Sequence, residues 1–216
     1  MPRIVTTVVT PAGSTDLTTL ADVKDELSID SGDTSKDVTL TRYLKGASRA
    51  ALQYVNRRAL VQETIKDEIW PDIDPHPRVL SGAFDVLQLS TWPVLSIDSV
   101  TEDGTALVRD TDYLLDSAAG RLFRLDGSGN TTTWSARPKV VQYDAGFDAV
   151  PDEVADAVIR MVTSRWAAKG RDKSLRSEDI PGVVSRQWWI ATGGEAGNMP
   201  PDITDLLDNY RVPVLV

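Results

Sequence analysis

Apolar residues recur every three or four positions over several stretches of the chain, and between two of them the spacing changes to two. Val154, Val158, Met161, Val162 and Trp166 share one face, with Arg160, Thr163 and Lys169 elsewhere, which predicts an amphipathic helix whose apolar face must be buried. Pro151 suits its first turn, Asp152 and Glu153 suit the positive end of its dipole, and Gly170 supplies the stop. Leu40, Tyr43, Leu44, Ala47, Ala51, Tyr54 and Val55 predict a second, longer helix over 37–58, with Arg42, Lys45 and Arg49 aligned on a different face. Leu20, Val23 and Leu27 give a narrow stripe for a short helix, capped by Thr19, with Asp22 as a weak form of the reciprocal capping residue. So short a helix needs something to lie on. Ile203, Leu206, Leu207 and Tyr210 predict a short closing helix.

From Val61 to Tyr143 the period is two. Gln62–Trp70 alternates like a half-exposed strand, and Pro71, Pro75 and Pro77 break the chain after it. Strands are predicted at 86–89, 94–100, 113–115, 121–125 and 139–143, punctuated by Asp103-Gly104, Ala119-Gly120 and Gly127-Ser128-Gly129-Asn130. These short runs suggest a small antiparallel sheet or sandwich placed between the long helices. Residues 1–16 read as extended with no legible partner, 28–36 as a polar loop, and 171–179 as a charged connector. A Pro181-Gly182 turn leads to adjacent tryptophans, Trp188 and Trp189, which read as an anchor. The stretch 190–201 is Gly- and Pro-rich, and 212–216 is an apolar tail. That tail either meets a partner or packs back on its own domain.

Composition narrows the function classes. The chain has 216 residues, 41% of them hydrophobic, enough for one elaborated domain or two small ones. No apolar run has the length of a membrane helix and no secretion signal is visible, so a cytoplasmic origin is the expectation. With no cysteine, disulfides, thiolate metal sites and cysteine nucleophiles are excluded. A formal charge of −9 argues against a DNA-gripping surface, although an acidic wall suits DNA that must slide past, and equally suits plain solubility. Asp22, Asp25 and Glu26 make the first short helix acidic while Arg42, Lys45 and Arg49 make the next one basic. These faces either attract one another, within one chain or between copies, or are simply solvated.

Reactive constellations are absent from the pattern. His76, the only histidine, sits among prolines in Asp72-Ile73-Asp74-Pro75-His76-Pro77 and reads as a surface turn rather than a metal ligand. Gly127–Asn130 lacks the Lys and Ser or Thr of a phosphate loop and reads as a hairpin turn. Asp152, Glu153 and Asp156 are accounted for by a helix start, so no catalytic, cofactor-binding or metal residue is expected.

Tyr143-Asp144-Ala145-Gly146-Phe147, the Val150-Pro151 helix start, the aromatic Trp166 near its end, the charged loop and Ser177-Glu178 before Pro181-Gly182 together resemble the head-tail connector, or adaptor, proteins of tailed bacteriophages and gene-transfer particles. The resemblance extends to the β-rich middle with its Thr133-Trp134-Ser135 turn and to the 205–211 helix. It implies an α+β chain: a helical bundle from 1–60 and 145–190, an inserted small antiparallel β domain at 61–144, and an extended C-terminal arm at 191–216. It further implies a structural, non-enzymatic virion protein made in the host bacterial cytoplasm. Such a protein forms a twelve-fold ring under the portal, links capsid to tail or stopper protein, and lines a channel through which DNA passes without sequence-specific binding. Trp188, Trp189, Leu206, Leu207, Tyr210, Val212 and Leu215 are the candidate partner-interface residues, the tryptophans being equally readable as internal core. Other neck, tail-completion or baseplate roles, and a carboxylate-dependent glycan hydrolase, are the alternatives.

Overall fold

The computed structural model describes residues 3–70, 85–169, 177–180, 184–187 and 199–212. Two compact units emerge: Met1–Gly13 with Val61–Ala149, and Ser14–Leu60 with Val150–Val216.

Among the described residues the first unit is all β. Its strands are β1 (Arg3–Thr10), β2 (Glu63–Trp70), β3 (Leu87–Gln88), β4 (Val94–Glu102), β5 (Thr105–Leu107), β6 (Tyr113–Asp116), β7 (Arg121–Leu125), β8 (Thr131–Thr132) and β9 (Lys139–Ala145). A five-stranded antiparallel sheet runs β1-β2-β9-β4-β5, and a four-stranded one runs β3-β7-β6 with β8 also on β7. The segment whose partner was illegible is therefore the edge strand β1, with Ile4 opposite Ile69 and Thr6 opposite Asp67.

Alternation in β2 buries Glu63, Ile65, Asp67 and Ile69 and leaves Lys66 and Glu68 on the other face, 2.6 Å apart. Ile65, Ile69, Val141 and Tyr143 meet Leu87, Tyr113, Leu122 and Trp134 in one core shared by both sheets. Trp134 is fully buried, and its indole N–H donates to the Leu122 carbonyl at 3.1 Å, so its one polar atom is satisfied. Beside it, Glu102 accepts from the Ser135 N–H at 3.1 Å and hydroxyl at 2.7 Å, with Arg124 at 3.3 Å. Burial works against the ionised form, but these donors together with Lys139 and Arg124 hold the Glu102 carboxyl below its usual range.

Gly146 ends β9 at φ +119, and a Cβ there would lie 2.7 Å from the Val61 carbonyl oxygen. Both the conformation and the clash with backbone exclude a side chain. Gly146→Ala is expected to destabilise the protein by about 2–3 kcal/mol, read as a lower denaturant midpoint. An unchanged midpoint would show that the turn can relax.

The second unit holds α1 (Leu20–Glu26), α2 (Asp37–Tyr54), α3 (Asp152–Ala167) and α4 (Pro201–Leu207), with a 3-10 turn at Asp208–Tyr210 and an antiparallel pair, β10 (Ser177–Ile180) with β11 (Val184–Gln187). The α1 capping box is complete: the Thr19 hydroxyl accepts the Asp22 N–H at 3.1 Å while the Asp22 carboxylate accepts the Thr19 N–H at 3.1 Å. The Thr19 hydroxyl, donating to the same carboxylate at 2.6 Å, and the Thr19 N–H hold the Asp22 carboxyl below its usual range. Helix α3 buries Val154, Ala157, Val158 and Val162, while Met161 and Trp166 lie at the margin of that face. Pro151 is the cap residue rather than the first helical one, and Gly170 lies outside the described residues.

These elements correct the expected helical bundle. The chain is mixed α and β, with two multi-stranded antiparallel sheets and four α-helices among the described residues, and strand is as abundant as helix. The long 3.6-residue periodicities of α2 and α3 dominate the sequence pattern. Strands of two or three residues, such as β3, β5 and β8, are too short to show any period, and β1 exposes both faces. Part of the predicted charged connector is likewise β10.

Candidate functional site

Among the described residues no cluster of His, Cys, Asp or Glu has the geometry to hold a metal, and no helix is long and apolar enough to cross a membrane. His76 lies outside the described residues. The Gly127–Asn130 segment is a turn between β7 and β8: the Asp126 carboxylate accepts the N–H groups of Ser128 and Asn130 at 2.8 and 2.9 Å, and so holds itself below its usual range. The carboxylates at the start of α3 have structural partners, Glu153 accepting from the Tyr210 hydroxyl at 2.8 Å and Asp156 pairing with Arg160 at 2.8 Å.

What the second unit offers is surface. A cleft of about 520 Å³ has Leu17, Leu44 and Val150 among its walls and Asp16, Asp22 and Asp152 around it, with no cationic side chain in its lining. Leu17 and Leu44 are buried, so the floor is apolar. The lining comes from the segment leading into α1, from α2 and from the start of α3.

Residues 201–212 are fastened to the same unit. Ile203 and Leu207 of α4 are buried, and the Val212 N–H donates to the Val55 carbonyl at 2.9 Å. Asn56 donates to the Val212 carbonyl at 2.9 Å, and the Arg57 guanidinium to the Tyr210 carbonyl at 3.0 Å. Tyr54 donates to Asp208 at 2.6 Å, a bond that raises the phenol above its usual range, and the Arg211 guanidinium lies 5.2 Å from the Tyr54 ring. Of the residues singled out from sequence, Leu207 is fully buried in this unit, and Leu206, Tyr210 and Val212 are half-buried. Trp188, Trp189 and Leu215 lie outside the described residues. Removing the chain from residue 202 onward would thus take out part of the unit's core as well as the arm.

The cleft itself escaped sequence reading, because its walls come from three segments far apart in the chain. So did the placement of Arg165, which projects from α3 over the Tyr43 ring of α2 at 4.3 Å. An arginine in the last turn of an amphipathic helix, aligned with the buried face of Val154, Val158 and Val162, was the available signal.

No protein-family model matches the chain, and no curated protein matches it. Solved structures do match, among them chains described as the neck of an empty GTA particle computed with C6 symmetry and the neck of a native GTA particle computed with C12 symmetry. Each is 18% identical, with 98% of this chain and 97% of that chain covered at a TM-score of 0.52. The chain therefore shares its fold with a neck protein over nearly its whole length.

Proposed function

We propose that this chain is a structural component of the neck of a phage-like particle, acting there as the head-tail adaptor. In this reading it forms a ring, twelve-fold to match a portal, lines the passage for DNA without reading its sequence, and joins capsid to tail or stopper protein. The observation that carries the reading is the near-complete fold match to chains of GTA particle necks, one of them in an assembly of C12 symmetry. Support comes also from the sequence resemblance and from a surface that offers a cleft. The work is done by contact surfaces and not by reactive groups, with no cofactor and no membrane involved.

The arm is placed in this scheme at the portal through its apolar end, Val214, Leu215 and Val216. Because α4 belongs to the core of the second unit, the informative truncation removes residues 213–216 only. The truncated protein should keep the wild-type melting temperature and lose at least tenfold in affinity for portal rings, measured by co-sedimentation. Equal co-sedimentation would move portal binding elsewhere on the chain. Particles assembled without the polypeptide should fail to join filled capsids to tails; normal joining would overturn the adaptor reading.

A further inference from the structure

On α2 the cations Arg42, Lys45 and Arg49 are exposed on the side away from the buried face, and Arg165 reaches the same helix from α3. Its guanidinium lies 4.3 Å from the Tyr43 ring, which Arg42 also approaches at 5.5 Å, and a Cβ on Gly46 would come within 3.4 Å of the Arg165 side chain. Stacking on an aromatic face fixes the guanidinium before any partner arrives. Among the described residues no carboxylate oxygen lies within 4.0 Å of any of these four cations. The helix dipole accounts for Arg165 at the end of α3 but not for Arg42, Lys45 and Arg49, which sit in the middle of α2.

The acidic face of α1 does not neutralise them. The ion pair that ties α1 to α2 joins Lys24 of α1 to Asp37 of α2 at 2.6 Å, the reverse of the signs on the exposed faces. The acidic α1 surface and the basic α2 surface thus remain unpaired with one another within the chain. They are also separated. Thr41 and Leu44 of α2 face the acidic cleft together with Ala155 near the start of α3, whereas Tyr43 and Gly46 meet Arg165 near its end. Helix α3 thus leaves the cleft beside Thr41 and Leu44 on one flank of α2 and the cationic ledge, Arg165 with Arg42 at Tyr43, on the other, while Lys45 and Arg49 continue the i, i+4 row of Thr41 between them.

We infer that the ledge of one copy docks in the acidic, apolar-floored cleft of a second copy of this chain. Opposite charges on opposite flanks are what a head-to-tail contact requires, and such a contact closes into a ring when the rotation per subunit allows. A chain carrying −9 repels its copies as a whole, so close approach depends on a local region of the other sign, and the ledge supplies it. The same net charge disfavours DNA as the occupant, because the rest of the surface repels phosphate. This inference rests on the ring-forming reading above and identifies the faces that would form the ring.

The experiment uses two full-length variants, Arg42→Glu/Arg165→Glu on the ledge and Asp16→Lys/Asp152→Lys at the cleft, in sedimentation velocity at low salt. Each alone should associate at least tenfold more weakly than wild type, because each then presents like charge at both faces. Mixed in equal amounts they should recover wild-type association, since the reversed ledge fits the reversed cleft and the untouched faces fit each other. Salt of about 0.5 M, where the screening length falls to a few ångströms, should weaken the mixture and the wild type alike. Wild-type association by either variant alone, or no recovery on mixing, would overturn the inference while leaving the ring itself standing. A wild type monomeric at every concentration would also overturn it, and neck attachment would remain decidable by the particle-joining assay. DNA binding that only the ledge variant loses, without any change in self-association, would reassign the ledge to phosphate.

Discussion

Asp67→Ala should be among the most damaging single changes in the β unit, lowering stability by about 3–5 kcal/mol and melting temperature by roughly 15–30 °C for a domain of this size. Asp67 is fully buried on β2, and its two oxygens receive four donated hydrogen bonds. Thr6 of β1 donates at 2.7 Å, the Ser90 N–H and hydroxyl at 2.8 Å each, and the Tyr143 hydroxyl of β9 at 2.7 Å. This is the arrangement of an acceptor-only carboxylate whose burial is tolerated because every lone-pair direction is used. Burial, the neighbouring Asp67 charge and their hydrogen bond push the Tyr143 phenol far above its usual range, so at neutral pH it stays a donor.

Truncation leaves the buried Tyr143 hydroxyl and the half-buried Ser90 N–H and hydroxyl without their acceptor. Ser90 and Tyr143 can turn toward each other across their 3.1 Å separation, which recovers one bond but not the rest. Asp67→Asn keeps the shape but points an N–H₂ at other donors, and should cost about 2 kcal/mol. Thr6→Val, at the sheet edge, should cost about 1 kcal/mol. Calorimetry on the three variants tests the ranking. A loss under about 1 kcal/mol for Asp67→Ala would show that the group is a passenger in the core.

That network also shows why only part of the β unit is legible in sequence. The β2 alternation is visible, but its charges point to a half-exposed strand, and the structure instead turns Glu63 and Asp67 inward. Whether a carboxylate faces in or out depends on donors from residues 6, 90 and 143, and no local pattern contains them. The same holds for β1, whose exposed Ile4, Val5 and Val9 advertise no buried face and which is a strand because β2 offers it an edge. The helices are different. Leu40, Leu44, Ala47 and Ala51 on α2 and Val154, Val158 and Val162 on α3 are all buried as their spacing requires, and Thr19 caps α1, because these features are set within one or two turns. The surface stands between the two cases. The basic side of α2 is legible from Arg42, Lys45 and Arg49, but the crossing of α3 that sets Arg165 beside it and the cleft on the other flank is a tertiary fact.

Val158→Asp, on that crossing helix, should unfold the second unit. Val158 is fully buried between Val154 and Val162, one turn away on either side along the face that α3 turns to its own core. Aspartate is close to valine in size, so the change isolates charge from volume. An unpaired carboxyl group there costs about 3–5 kcal/mol, a large fraction of the 5–15 kcal/mol that holds a typical domain together. Val158→Ala, which removes two methyl groups without adding charge, should cost roughly 2 kcal/mol and leave the fold intact. Far-ultraviolet circular dichroism separates the outcomes, since α2 and α3 are the longest helices described: the aspartate variant should lose most of the helical signal at 25 °C and the alanine variant almost none. The contrast bears on assembly too, because α3 carries Ala155 at the cleft and Arg165 at the ledge. An aspartate variant that kept its helical signal would mean that α3 can rotate away from its observed face. Cleft and ledge would then not be held on opposite flanks of α2, and the head-to-tail contact would lose its geometric basis.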